Sequence, residues 1–170
     1  MTHVPSPDDL QRRFAEAVTD SGARARLARE LFPTAERLRL AFRPGSDAAI
    51  QAIAEVFDRI RLPEDAPEIA WATVIDVPAD RTQVRAHRAT GAELAHPVPG
   101  TPADREFPGG IRAIAQHWLA PQMAFFEVTC RAPGATAGTR FHLLFHDGER
   151  GCMAGPLWRF LKDFPVPLEH

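Results

Sequence analysis

Two side chains of this 170-residue sequence could work as an acid–base pair: His117, beside Trp118, and Asp76. A carboxylate that orients an imidazole leaves the ring poised to take or give a proton near neutral pH. That reading needs their two segments to border one cavity. The competing reading is a histidine at a helix end and an aspartate in surface salt bridges. His142 and His146 form an H-x-x-x-H spacing, but on a strand four residues span roughly 13 Å at about 3.3 Å each. Two ligands of one zinc each lie only about 2 Å from it, so no metal site is expected. Cys130 falls on an apolar strand face, where a thiol packs as a small hydrophobe. Cys152 stands between Gly151 and Gly155, which suits close packing better than nucleophilic work. There is no Gly-x-Ser-x-Gly elbow, Gly-x-Gly-x-x-Gly run or Walker pattern, so no nucleotide or other cofactor is expected. Trp71, Trp118, Phe125 and Trp158 could line an apolar ligand pocket or fill the core, and core is the commoner fate of large aromatics.

The elements that must position these groups follow from periodicity. Ser6 can cap a helix with Pro7 at its first position and Leu10, Phe14, Ala17 and Val18 on one face, ended by Ser21-Gly22. Helices over Ala23 to Phe32 and Ala35 to Arg43 follow, separated by Pro33. Ser46 opens the clearest helix, with Ile50, Ile53, Ala54, Phe57 and Ile60 at helical spacing on a buried face. Ile69 to Val77 and Thr82 to Thr90 read as a first hairpin around Pro78-Ala79-Asp80-Arg81, which places Asp76 on a strand. Gly91 to Phe107, with three prolines and no periodicity, reads as a long loop. Ile111 to Leu119 is a short helix carrying His117. Strands over Met123 to Arg131, Thr139 to His146 and Arg150 to Trp158 complete the chain, the last two joined at Asp147-Gly148, the dipeptide preferred in type I′ hairpin turns. A Pro-rich tail follows, and Leu168-Glu169-His170 has the composition of a vector-encoded tag remnant, so residues 1–167 are expected to form one domain.

Alternation assigns faces. Ala124, Phe126, Val128 and Cys130 share an apolar face, and Phe141, Leu143 and Phe145 are expected to join it. Arg140, His142, His146 and Glu127 fall on the opposite face, where Arg85 and His87 of the first hairpin can meet them. The expected fold is therefore α+β, with N-terminal helices packed on one face of a curved, cone-like antiparallel sheet.

This order of helices, hairpin, short helix and antiparallel meander resembles the nuclear transport factor 2-like superfamily over roughly residues 34 to 160. The resemblance rests on element order. It implies a fold used by isomerases, dehydratases and cyclases acting on small molecules, and also by non-catalytic binding and dimerisation domains. The steroid-isomerase members use tyrosine hydroxyls, and this chain has no tyrosine.

Composition narrows the partners. Hydrophobic residues at 45% and charged residues at 25% are ordinary globular values. A formal net charge of -2 argues against a general nucleic-acid binder or an anionic-lipid surface. Between Leu10 and Arg43 eight arginines face four acids, but no interleaved aromatics accompany them, so a solvated, salt-bridged helix surface is the better reading. No run suits a signal peptide or membrane span, and two thiols fit a reducing compartment, so a cytoplasmic protein is expected. The combined expectation is a homodimeric small-molecule-binding or interaction domain, any ligand being a hydrophobic small molecule, with a cofactor-free isomerase, cyclase or dehydratase acting on such a molecule through His117 and Asp76 as the alternative.

Overall fold

The computed structural model describes residues 6–148 and 151–153. Trp158, most of the strand expected over Arg150 to Trp158, and the C-terminal tail lie outside the described residues. Eight helices and four strands occur among those described.

Helix α1 (Pro7–Thr19) begins with a reciprocal cap, in which Ser6 Oγ accepts from Asp9 N and Asp9 Oδ2 accepts from Ser6 N. Helix α2 (Ser21–Leu31) starts earlier than expected. Asp20 Oδ1 accepts from Gly22 N and Ala23 N, so Ser21-Gly22 opens a helix instead of closing one. Helix α3 (Ala35–Arg39) is capped by Thr34, and α4 (Asp47–Ile60) buries Ile50, Ile53, Ala54 and Phe57. Ile60, expected inside, is exposed at the helix's last position.

The first hairpin does not form. Its leading segment is a short helix, α5 (Glu68–Ala72), followed by a loop, and only the second segment is a strand, β1 (Gln83–Thr90). Alternation misleads here because Ile69 points to solvent while Trp71 is drawn inward onto α2, edge-on to Phe32 and beneath the Arg29 guanidinium. The stretch expected as a loop holds two short helices, α6 (Gly91–Ala95) and α7 (Pro102–Arg105). The first is fastened by a capping box between Thr90 and Glu93, the second opens on Pro102. Helix α8 (Ile111–His117) follows.

Strands β2 (Ala124–Arg131), β3 (Gly138–His146) and β4 (Gly151–Met153) join β1 in one antiparallel sheet of order β1-β2-β3-β4. The sheet is open. Its β1 edge is partly blunted by Gln11, whose Oε1 accepts from Ala86 N. The β3–β4 connection is longer than a two-residue type I′ turn, since His146 pairs with Gly151, and of its described residues Gly148 has positive φ and Asp147 does not. Arg37 anchors that connection. It is buried, its Nε bonds Asp147 Oδ2 at 2.6 Å, and its other donors reach the carbonyls of Glu30, Phe32 and Gly151.

One irregularity changes the faces. Phe126 pairs with Leu144 but Val128 with Phe141, so His142 and Leu143 together oppose Glu127, and Leu143 takes φ 54. This β-bulge inserts one residue into β3. Phe141 therefore lies with Val128 and Ala86, over which Phe14 of α1 packs at 5.1 Å between ring centroids. Phe145 lies with Phe125 on the opposite face, where the two rings meet edge-on. The expected single face of Phe141, Leu143 and Phe145 is thus split by the bulge, and His146 moves to the face of Leu144 and Phe126. β2 is buried on both sides.

Candidate functional site

The second face of the sheet changes character along its length. At one end Ala89, Phe125 and Phe145 are buried, beneath the segment that carries Leu94, Phe107 and the short helices α6 and α7. Toward the other end the cross-strand register builds two polar rows, His87 opposite Glu127 opposite His142, and Arg85 opposite Thr129 opposite Arg140. Directly opposed residues of an antiparallel pair share a face, so these rows are neighbours. Beside them opens a groove of about 610 Å³, walled by Arg85, His87, Glu106, Thr129 and Arg131, with Gln11 of α1 at its edge.

Glu127 is the centre of the arrangement. It is 0% exposed. His142 Nδ1 stands 3.4 Å from one of its carboxylate oxygens and Arg140 Nη1 3.5 Å from the other. Neither oxygen, nor His142 Nδ1, has an aligned hydrogen bond among the described residues. A buried carboxylate without donors is costly, and two nearby cationic or protonatable side chains offset that cost only in part. The bulge places this contact, since the extra residue turns the His142 ring onto Glu127 while Leu143, fully buried, absorbs the left-handed backbone. His87 on the next strand holds a second carboxylate, Glu106 at the end of α7, at 3.4 Å from its Nε2.

The pair expected from the sequence is not assembled. Asp76 is exposed on the loop that takes the place of the first strand, between buried Ile75 and Val77, and His117 is exposed at the last position of α8. No hydrogen bond or ion pair joins them among the described residues. The aromatics expected to line a pocket are spent on packing. Trp71 lies against Phe32 and Arg29, Trp118 is buried after α8, and Phe125 is wholly enclosed against Phe145. Trp158 lies outside the described residues.

Cys130 is buried on the helix-covered face, and burial pushes its thiol up to about 11 against the opposing pull of Arg81, so it is a poor nucleophile. Among the described residues no group of three His, Cys, Asp or Glu side chains is placed to hold a metal ion, and no helix is long and apolar enough to cross a membrane.

Alternation alone had already gathered Glu127, Arg140, His142, Arg85 and His87 on one face. What it missed was Glu106, brought in by a helix too short for periodicity, and the bulge, whose left-handed residue is a leucine and so carries no glycine signal. Compared with known proteins, the chain matches no protein-family model, no curated protein and no solved structure.

Proposed function

We propose that this chain is a small-molecule-binding domain whose ligand lies on the polar end of the open sheet face. The observation that carries the reading is the buried, hydrogen-bond-deficient Glu127 beneath His142 at a strained bulge. Each of these features costs folding free energy, and together they hold an imidazole over Glu127, whose cross-strand neighbour His87 lines the groove. The groove walls are mostly polar, which favours a polar ligand over the hydrophobic one expected from the tryptophans. A thermal-shift screen against polar metabolites tests this, because a ligand that binds only the folded state raises its apparent stability. Hits should perturb the backbone amides of Arg85, His87, Thr129 and His142. Hits that map to Trp71 or Trp118 instead would refute the placement.

A second reading has one specific observation behind it. Glu127 and His142 supply the carboxylate–imidazole contact that His117 and Asp76 do not, with Nδ1 the buried nitrogen on the carboxylate side, so Nε2 is the nitrogen that would exchange a proton with a ligand. In that reading the domain is a cofactor-free isomerase, cyclase or dehydratase in which His142 moves the proton and Glu127 orients it. Turnover of a screened ligand should then fall by about 10²–10⁴ in His142→Gln while binding is largely kept. Equal turnover in the variant removes the catalytic reading and leaves the binding one. The likeness in element order to the nuclear transport factor 2-like superfamily belongs to the same proposal, supported by helices that precede an open antiparallel sheet.

A further inference from the structure

We propose that Arg85 and Arg131, with Thr129 beside them, bind an oxyanion, the carboxylate or phosphate group of the small molecule that the groove accepts. This deepens the binding reading above and rests on it. The two arginines project from adjacent strands on the same face. Arg85 is opposite Thr129 and Arg131 lies two residues along β2, a diagonal spacing of about 7–8 Å that long side chains close easily. Both line the groove.

Neither guanidinium has a hydrogen bond or ion pair among the described residues. That sets them apart from Arg13, Arg37 and Arg61, which are engaged with Glu30, Asp147 and Asp58. Arg131 Nε is moreover buried without an acceptor. A guanidinium N–H withdrawn from water and left unbonded is unfavourable unless something else supplies the oxygen.

The strand opposite makes room for this posture. Arg131 pairs with Gly138, where a Cβ would fall 2.7 Å from Arg131 Cγ and 2.3 Å from the Cys130 carbonyl oxygen. The bare glycine leaves room for the Arg131 stem beside β3, and Arg131 still lines the groove. Three guanidinium groups, those of Arg85, Arg131 and Arg140, stand here against the two carboxylates of Glu106 and Glu127, and Arg140 is already turned toward Glu127. The uncommitted pair is thus Arg85 and Arg131. Guanidinium forks match planar carboxylates and phosphates in two-point hydrogen bonds, and Thr129 supplies a hydroxyl in the same row.

The test is an amide-shift titration of the full chain with inorganic phosphate and, separately, succinate, with sodium chloride as the control anion. Saturable shifts at Arg85, Thr129 and Arg131 are expected, with affinity reduced about 10-fold or more in Arg85→Gln and in Arg131→Gln, the loss of one charge-assisted contact. Arg88→Gln, on the other face of β1, should bind as the wild type does. Preference for phosphate or for succinate identifies which oxyanion the site suits. Shifts reproduced by chloride, or affinity unchanged in both groove variants, would overturn the assignment. If neutral polar compounds move the same amides while neither oxyanion does, the oxyanion site is wrong and the binding face stands. If nothing moves them, both fall.

Discussion

Two buried charges in this protein are treated in opposite ways. Arg37 is nearly enclosed, yet its donors reach Asp147 and three backbone carbonyls, so the group that tethers the β3–β4 connection to α2 and α3 is richly satisfied. Glu127 is more deeply enclosed and has no aligned donor among the described residues, only a histidine and an arginine at ion-pair distance. A saturated charge holds the fold together. An unsaturated one, set beside a bulge and a groove, fits the ligand site proposed above better than a role in stability.

The comparison breaks most visibly at Arg37. Arg37→Ala removes the buried bonds to Asp147 and to three backbone carbonyls at once and should cost about 3–5 kcal/mol, measured by urea unfolding. Arg37→Lys keeps the charge without the planar fork and should recover only part of that. If both variants unfold at the wild-type midpoint, the tether is not structural.

A smaller effect separates the helix-covered face from the open one. Cys130 ionises at about 11 in the fold, against 9.0 as its ordinary value, because it is buried. Between those values the unfolded chain gives up the proton first, so stability is intact below pH 9 and falls as pH rises toward 11. The loss is about 2–3 kcal/mol for that two-unit interval. Cys130→Ala should flatten this alkaline limb; an unchanged limb would place its origin elsewhere.

The apolar end of the open face gives the next step down. Thr90→Ala removes the capping box that starts α6 and should cost about 1 kcal/mol. Hydrogen exchange should accelerate at the amides of α6 but not at those of Arg85 or Thr129. Faster exchange along the whole of β1 would show that the two ends of the face are not independent.

Much of the frame was legible because long amphipathic elements announce themselves. Leu10, Phe14, Ala17 and Val18, then Ile50, Ile53 and Phe57, marked helices, and Ala124 to Cys130 marked the central strand's buried face. The polar rows were legible for the same reason. Short elements were not. The five residues of α5 gave a period of two by accident, and that error put Asp76 on a strand and suggested a partnership with His117. The capping boxes of α6 and α1 share one logic, yet only the second sits before a periodic run. The bulge was hidden because nothing about Leu143 as a residue type favours a left-handed backbone; its packing holds it there. Phe145 and His146 changed faces as a result.

The central claim is that Glu127 serves the groove and not the fold, and the unfolding free energy of Glu127→Leu measures it most directly. Leucine removes a poorly satisfied buried charge in favour of an apolar side chain, while Arg140 and His142 can turn to water. The account predicts stability equal to wild type or higher by about 1 kcal/mol, since such replacements are often neutral or stabilising. A loss of about 3 kcal/mol or more, comparable to that of Arg37→Ala, would contradict it and make Glu127 a second structural tether.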